Sequence, residues 1–116
     1  MNRINEETPG AVTISDDVLA AVVADAVTEI PGVISMEDIL TRKGVRITEK
    51  GKTVVLDLYI NVAFGTKIPQ LAWRLQKHVA NRIRSVTGIT AKEINIHVQG
   101  VEYEENQSEK TESVSN

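Results

Sequence analysis

The chain contains no cysteine. That excludes disulfides, thiol catalysis and Cys-ligated zinc, and accords with a reducing cytosol. Aromatic residues are almost as scarce: Tyr59, Phe64, Trp73 and Tyr103 are the whole set, so a core has to be assembled from Val, Ile, Leu and Ala. No apolar run approaches the roughly 20 residues of a membrane-spanning helix. The opening stretch, MNRINEETPG, lacks the apolar centre of a secretory signal. A protein that is cytoplasmic, or at most peripheral to a membrane, with no direct membrane span is therefore expected. Acid is missing over one long interval: between Asp57 and Glu93 every charged side chain is a base, namely Lys67, Arg74, Lys77, Arg82, Arg84 and Lys92.

What is present fits one modest domain of the 116 residues. Its net charge of −3 conceals a strong asymmetry. Residues 1–41 carry one base and eight acids, residues 42–92 eleven bases and two acids, and residues 93–116 one base and six acids. A basic middle between acidic ends suits self-association or an anionic partner, and equally suits acidic parts that cover the basic part within one monomer.

Polar residues 1–9, ending at Pro9-Gly10, bury nothing and are expected to be disordered. Ala11–Ile14 reads as a short strand. Ser15 is placed to cap a first helix over about residues 16–29, with Asp16 and Asp17 in the first turn where the helix dipole favours acid. The apolar arc of this helix, Val18, Leu19, Val22, Val23, Ala26, Val27 and Ile30, is broad enough for heavy burial or a second subunit. Pro31-Gly32 ends it. Val33–Met36 is a short strand candidate, and Glu37–Lys43 a connection. Val45–Thr48 and Thr53–Phe64 then form a hairpin around Glu49-Lys50-Gly51-Lys52. In the second of these strands Val54, Leu56, Leu58, Ile60, Val62 and Phe64 alternate with Val55, Asp57, Tyr59, Asn61 and Ala63, so one face lies on a core and the other is wet.

The next helix spans the interval from Gly65 to Gly88. Thr66 is the expected cap. Pro69 is tolerable in the first turn, where its missing N–H costs nothing, although it disfavours helical geometry at Ile68. Gly88 stops the helix as a left-handed residue. Ile68, Leu71, Ala72, Leu75, Val79, Ile83 and Val86 make the apolar stripe. A last strand over residues 93–101 places Ile94, Ile96 and Val98 inward, with Gly100 marking a bulge or a close backbone approach. Residues 102–116 read as an acidic disordered tail, which leaves 10–101 as the domain. The element order is β-α-β-β-β-α-β. It implies an α+β two-layer sandwich, with a mixed, mainly antiparallel sheet and two helices on one face.

Opposite the apolar stripe of the second helix lie Arg74, Lys77 and Arg84, with Trp73 beside them. This is either an ordinary solvated face or a docking surface for an acidic protein, nucleic acid or anionic lipid. Trp73 is either an interface anchor or a ring folded over the sheet edge or the Lys77 stem. Chemistry finds less support. Gly65-Thr66-Lys67 precedes a helix but lacks the P-loop spacing. His78 and His97 are single histidines without a nearby ligand partner in sequence, so no metal is expected. Asp57 stands alone on its strand, and no nucleophile–base pair emerges. Neither a catalytic residue nor a cofactor is expected.

The stretch from Phe64 to Val101 resembles the signature half of the alkaline shock protein 23 family, envelope-stress or general stress proteins of Gram-positive-type bacteria. The matching pieces are Phe64-Gly65, Ile68-Pro69, Gln76, Thr87-Gly88 and the Asn95-Ile96-His97-Val98-Gln99-Gly100-Val101 strand. Gly10-Ala11-Val12-Thr13-Ile14-Ser15 and Pro31-Gly32-Val33 also follow the pattern. Gly65, Pro69, Gly88 and Gly100 are the structural members of the motif. The resemblance implies a small non-enzymatic protein that self-associates as a scaffold or adaptor in cell-envelope homeostasis. Some members are held at the cytoplasmic membrane by a separate anchor protein. Others are thought to restrain acetyl-CoA carboxylase, so a regulator of fatty-acid synthesis is a second implied reading. The protein partner is thus a membrane anchor protein or a carboxylase, alongside a homo-oligomer. An RNA-binding module using the basic helix is a third reading from the residues. It is the weaker one, because no GxxG loop clamps a backbone and no aromatic pair forms a stacking platform. The connection after Val33 is shorter than in some relatives, so a partner contact made through such an insertion is not carried over.

Overall fold

A computed structural model describes residues 9–36 and 44–103. Most of the expected disordered start, the 37–43 connection, and the tail from 104 onward lie outside the described residues. In chain order the elements are α1 (Asp16–Val27), β1 (Val33–Met36), β2 (Val45–Lys50), β3 (Thr53–Ala63), α2 (Ile68–Thr87) and β4 (Thr90–Glu102).

Alternation along β3 sets the architecture. Val54, Leu56, Leu58, Ile60 and Val62 are buried, while Val55, Asp57, Tyr59 and Asn61 are half-buried on the other face. Both edges of β3 are occupied. On one edge β2 pairs antiparallel with residues 53–58, and β1 pairs antiparallel with residues 60–62, so the two short strands sit end to end. On the other edge β4 runs parallel to β3 over its whole length. The hairpin between β2 and β3 closes through Gly51-Lys52, with Gly51 at φ 63°, a conformation that glycine adopts without Cβ strain. β2 continues two residues beyond the expected Thr48, because Glu49 and Lys50 pair with Val54 and Thr53.

Parallel partners cannot be joined by a tight turn, and α2 makes the crossover. Its buried residues Leu71, Leu75, Val79 and Ile83 join Leu19, Ala20, Val23, Ala26 and Val27 of α1 over the inward sheet residues, in one continuous core. Both helices therefore cover one face of a mixed sheet with two antiparallel pairs and one parallel pair. Full burial of each of the Val, Leu and Ile side chains among them contributes about 1.5–3 kcal/mol.

Local signals act largely as the sequence implies. Ser15 Oγ accepts the Val18 N–H at 3.2 Å, with Asp16 and Asp17 in the first turn of α1. Gly88 closes α2 at φ 79°.

Several details differ. Ala11–Ile14 forms no strand and pairs with none of the described strands; the order observed is α-β-β-β-α-β. α1 stops at Val27: the Thr28 N–H makes the last i→i−4 bond, to Ala24, and Glu29 and Ile30 turn back with i→i−3 bonds to Ala26 and Val27 before Pro31-Gly32. Val18 is half-exposed, so the broad apolar arc of α1 is not wholly covered. Lys67, not Thr66, occupies the cap position of α2 and makes no side-chain cap bond; the Thr66 N–H instead turns back to the Ala63 carbonyl. Phe64 lies beyond the end of β3. It is 62% exposed and stacks on Tyr103 at 4.8 Å instead of entering the core. Ile68 and Val86, at the two ends of the α2 stripe, are also exposed. β4 starts at Thr90 and ends at Glu102, past the expected boundaries at both ends.

Leu75 is fully buried, whereas Trp73 on the same helix is 63% exposed. Leu75→Ala is expected to cost about 2–5 kcal/mol in urea unfolding, and Trp73→Ala no more than about 0.5 kcal/mol, as for a surface site. A large loss at Trp73 would show that its ring packs with the core.

Candidate functional site

Two surfaces carry functional potential, and they differ in how far their polar groups are already satisfied. The first is the outward face of α2. An i, i+4 buried stripe, Leu71, Leu75, Val79 and Ile83, turns Trp73, Lys77 and Arg84 to the opposite side of the helix. Lys77 Nζ lies 4.9 Å from the centre of the Trp73 ring, a cation–π distance. Arg74 shares a shallow depression of about 360 Å³ with Pro69, Gln70 and Trp73. Trp73 thus has its Lys77 contact yet remains mostly exposed. Among the described residues no carboxylate pairs with Lys67, Arg74, Lys77 or Arg84.

The remaining base of α2 behaves differently. Arg82 faces α1, where its guanidinium donates to Asp25 Oδ2 at 3.2 Å and to Glu29 Oε1. His78 Nε2 reaches the same Glu29 oxygen at 2.7 Å. The His78 hydrogen bond, reinforced by that of Arg82, holds the Glu29 carboxyl below its ordinary range. Asp25 of α1 and Glu29 just beyond it therefore neutralise one base of α2, and among the described residues no carboxylate pairs with the outward row.

The second surface is the helix-free face of the sheet, and it is where sequence reasoning missed a connected group. Asp57 and His97 look solitary in sequence, but the parallel register sets Asp57 beside Asn95 and Tyr59 beside His97. His97 Nε2 lies 2.9 Å from Asp57 Oδ1, and Asn95 Nδ2 donates to the same oxygen at 3.2 Å. The Tyr59 and His97 rings stack at 4.5 Å, and the Arg46 guanidinium lies 5.6 Å from the Tyr59 centroid. Farther along, Asn61 Nδ2 donates to Ser35 Oγ at 2.9 Å. Gly100 sits beneath the same carboxamide: a Cβ there would meet Asn61 Oδ1 at 2.7 Å. The ladder slips one residue at this point, from Ile60↔Val98 to Asn61↔Gly100. Gly100 is thus both the bulge and the close approach that its position in the strand suggests.

The signature strand therefore does two jobs. Ile94, Ile96 and Val98 pack on the core while Asn95, His97 and Gly100 organise the open face. The shared odd parity of Asp57, Tyr59, Asn95 and His97 hints at a common face. Only the parallel register, which alternation does not specify, says which pairs meet. The glycine and proline positions are structural: Gly65 turns the chain at φ 90°, Pro69 occupies the first turn of α2, and Gly88 ends that helix. An apolar groove of about 630 Å³ also opens between α1 and β1, lined by Ala20, Ala21, Ala24, Val27, Ile34 and Met36. Among the described residues no group of three or more His, Asp or Glu is placed to hold a metal, and no helix is long and apolar enough to cross a membrane.

Known proteins resemble this chain at two levels. The sequence pattern of the alkaline shock protein 23 family, described as having a cell envelope-related function, matches residues 4–103. The uncharacterized protein YloU of Bacillus subtilis strain 168 is 31% identical over 106 residues, covering 79% of this chain and 88% of that protein. An uncharacterized protein of Streptococcus pyogenes serotype M6, Spy1614, is 30% identical over 106 residues with the same coverage, 79% and 88%. In shape, solved MamM-CTD variants superpose with a TM-score of 0.58 at 16% identity, covering 74% of this chain and 98% of theirs. At that identity the likeness is one of fold.

The ion-pair cluster and the bulge each generate a test. Because the native Glu29 carboxyl lies below its ordinary value of 4.5, its contribution is fully present above that value and is lost as pH falls through the native pKa. Glu29→Gln should therefore destabilise at neutral pH, with the gap to wild type closing on acidification in urea melts. A gap that widens toward low pH would contradict this assignment. Gly100→Ala should cost about 1–2 kcal/mol by displacing Asn61 from Ser35. In an Asn61→Ala background, the same substitution should cost measurably less.

Proposed function

Starting from the premise that the chain belongs to the alkaline shock protein 23 family, whose function is cell envelope-related, we propose that it is a non-enzymatic, self-associating scaffold or adaptor of the envelope stress response. It docks a protein partner through the outward face of α2, which would hold it at the cytoplasmic membrane indirectly. The observation that carries this reading is Trp73. A large aromatic, 63% exposed on a rigid helix and flanked by Arg74 and Lys77, has the composition of an interface anchor. Mostly exposed, such a ring keeps apolar area in water that a partner could cover.

Self-association draws on a different part of the molecule. β4 is a 13-residue strand that pairs, among the described elements, with β3 alone. A long strand with one partner is a template for adding another. Exposed Phe64, Val101 and Tyr103 extend apolar surface to the same end of the sheet.

The other readings find less to stand on. The aromatic pair that an RNA platform needs does exist in Tyr59 and His97. Its rings cover each other, however, and Asp57 puts a carboxylate beside them, a poor setting for a base stack or a phosphate. Nothing among the described residues favours restraint of a carboxylase over an adaptor role.

Light scattering across about a hundredfold concentration range should show mass rising with concentration; a strict monomer throughout would remove the scaffold reading. In pull-downs from membrane-containing lysate, Trp73→Ala should lower recovery of the wild-type partner by about tenfold or more, as for an interface hot spot. Equal recovery by both proteins would clear α2 of the docking role.

A further inference from the structure

One backbone group on the outer edge of β4 is closed by a side chain of α2: Gln76 Nε2 donates to the Ile94 carbonyl at 3.0 Å. That carbonyl is turned away from β3, and backbone groups alternate between the two edges of a strand, so Ile96 and Val98 also face outward. At the other end of β4 the Glu102 carbonyl is turned to β3, where it accepts the Phe64 N–H. Counting back from there, Val101 faces outward. The two phases meet at the slip in register between Val98 and Gly100. The core also thins toward this edge. Leu56, Leu58 and Ile60 of β3 are fully buried, whereas Ile96 and Val98 are half-buried and Val101 is exposed. Natural edges are commonly guarded by Lys, other charges or Pro. From Ile94 to Val101 there is no Lys, Arg, Asp, Glu or Pro. The bulge and the Gln76 bond are the guards this edge has.

From this geometry we propose that two copies of the chain join by antiparallel pairing of β4 with β4, about a two-fold axis at Val98, and that Gln76 sets this register by closing the edge at Ile94. With Ile94 taken, the outward-facing residues left for pairing are Ile96, Val98 and Val101. They match themselves symmetrically in one way: Val98 opposite Val98 of the second copy, and Ile96 opposite Val101. Every such pair is β-branched and apolar, a favourable cross-strand combination. The bulge fits the same arrangement, because residues 99–100 of one copy then oppose His97 of the other, two residues against one. All three side chains lie on the helix-covered side, since Val101 is set beside buried Val62 and Ile96 and Val98 pack on the core. The second copy therefore continues the core where it is thin. Charge selects the strand direction. Parallel pairing would set Glu102 beside Glu102, and like charges directly opposite are unfavourable; antiparallel pairing keeps them apart. A contact of this kind is isologous and closes on itself. The inference rests on the reading of β4 as the self-associating edge, and adds its partner strand, its register and the residue that fixes it.

Because the chain has no cysteine, single-cysteine variants of the full chain report the register directly. Paired Val98 positions would have Cα atoms about 5.5 Å apart, inside the range of about 4.4–6.8 Å that a disulfide spans. The two Ile96 positions would lie about 13 Å apart along the strands, out of reach. Under diamide, Val98→Cys should form linked dimers about tenfold faster than Ile96→Cys, which is half-buried on the same strand. The double variant Ile96→Cys with Val101→Cys should link as Val98→Cys does. Gln76→Leu keeps the bulk and removes the donor. It frees the Ile94 carbonyl and admits a second register, with the axis at Ile96, so Ile96→Cys in that background should link about threefold faster or more. Equal linking of Ile96→Cys and Val98→Cys with Gln76 in place would overturn the proposal. So would linking of neither while light scattering shows mass rising with concentration, and in that case the scaffold reading stands. A chain that stays monomeric removes both. An Ile96→Cys rate unchanged by Gln76→Leu would strike Gln76 from the register.

Discussion

Parallel pairing of β3 with β4 is the constraint on which the rest of the molecule depends. Parallel strands force the chain to return the length of the sheet before pairing again, and α2 is that return. Its length, its position over the inward face of β3 and the identity of its buried stripe follow from this requirement. The same pairing puts the C-terminal ends of β3 and β4 side by side, which is why Phe64 meets Tyr103. It also sets the outward residues of the two strands opposite one another, which is how Asp57 acquires His97 and Asn95.

Electrostatics then separates the two exposed surfaces. On the open sheet face the polar groups satisfy one another: Asp57 takes two donors, Tyr59 is held between Arg46 and His97, and Asn61 is committed to Ser35. Such a face is ordered by its own hydrogen bonds and has little left to offer a ligand. On α2 the balance is reversed. Asp25 and Glu29 neutralise Arg82, while Lys67, Arg74, Lys77 and Arg84 find no carboxylate among the described residues. A row of like charge around an exposed indole has more to gain from an added acidic partner than the sheet face does. That asymmetry, more than family membership, singles out α2.

Much of this was readable from local sequence, where short-range physics decides. Ser15 caps α1 because its hydroxyl sits one turn from the orphan N–H groups, and Gly88 ends α2 because a left-handed residue is needed there. The outward placement of Trp73, Arg74, Lys77 and Arg84 follows from helical periodicity alone. Errors gathered at ends and in pairings. Phe64 continues the alternation of β3 but falls past the last pair of the ladder, and Ile68 and Val86 continue the α2 stripe but lie exposed at its ends. Periodicity tells which face a residue is on and is silent about where the facing element stops. Ala11–Ile14 has strand composition but pairs with no described strand, because composition does not say whether a segment docks on a sheet.

By itself, then, the sequence determined the two helices, the hairpin, the inward and outward faces, and the acid-free row on α2. Each depends on neighbours within a turn or two, where geometry is nearly invariant. Tertiary structure alone decided that Asp25 and Glu29 reach Arg82, that Asp57 and His97 meet across 40 residues of sequence, and that Gly100 lies under Asn61. Those contacts depend on strand direction and register. The hydrophobic pattern leaves both open, because a parallel and an antiparallel β4 would bury the same Ile94, Ile96 and Val98.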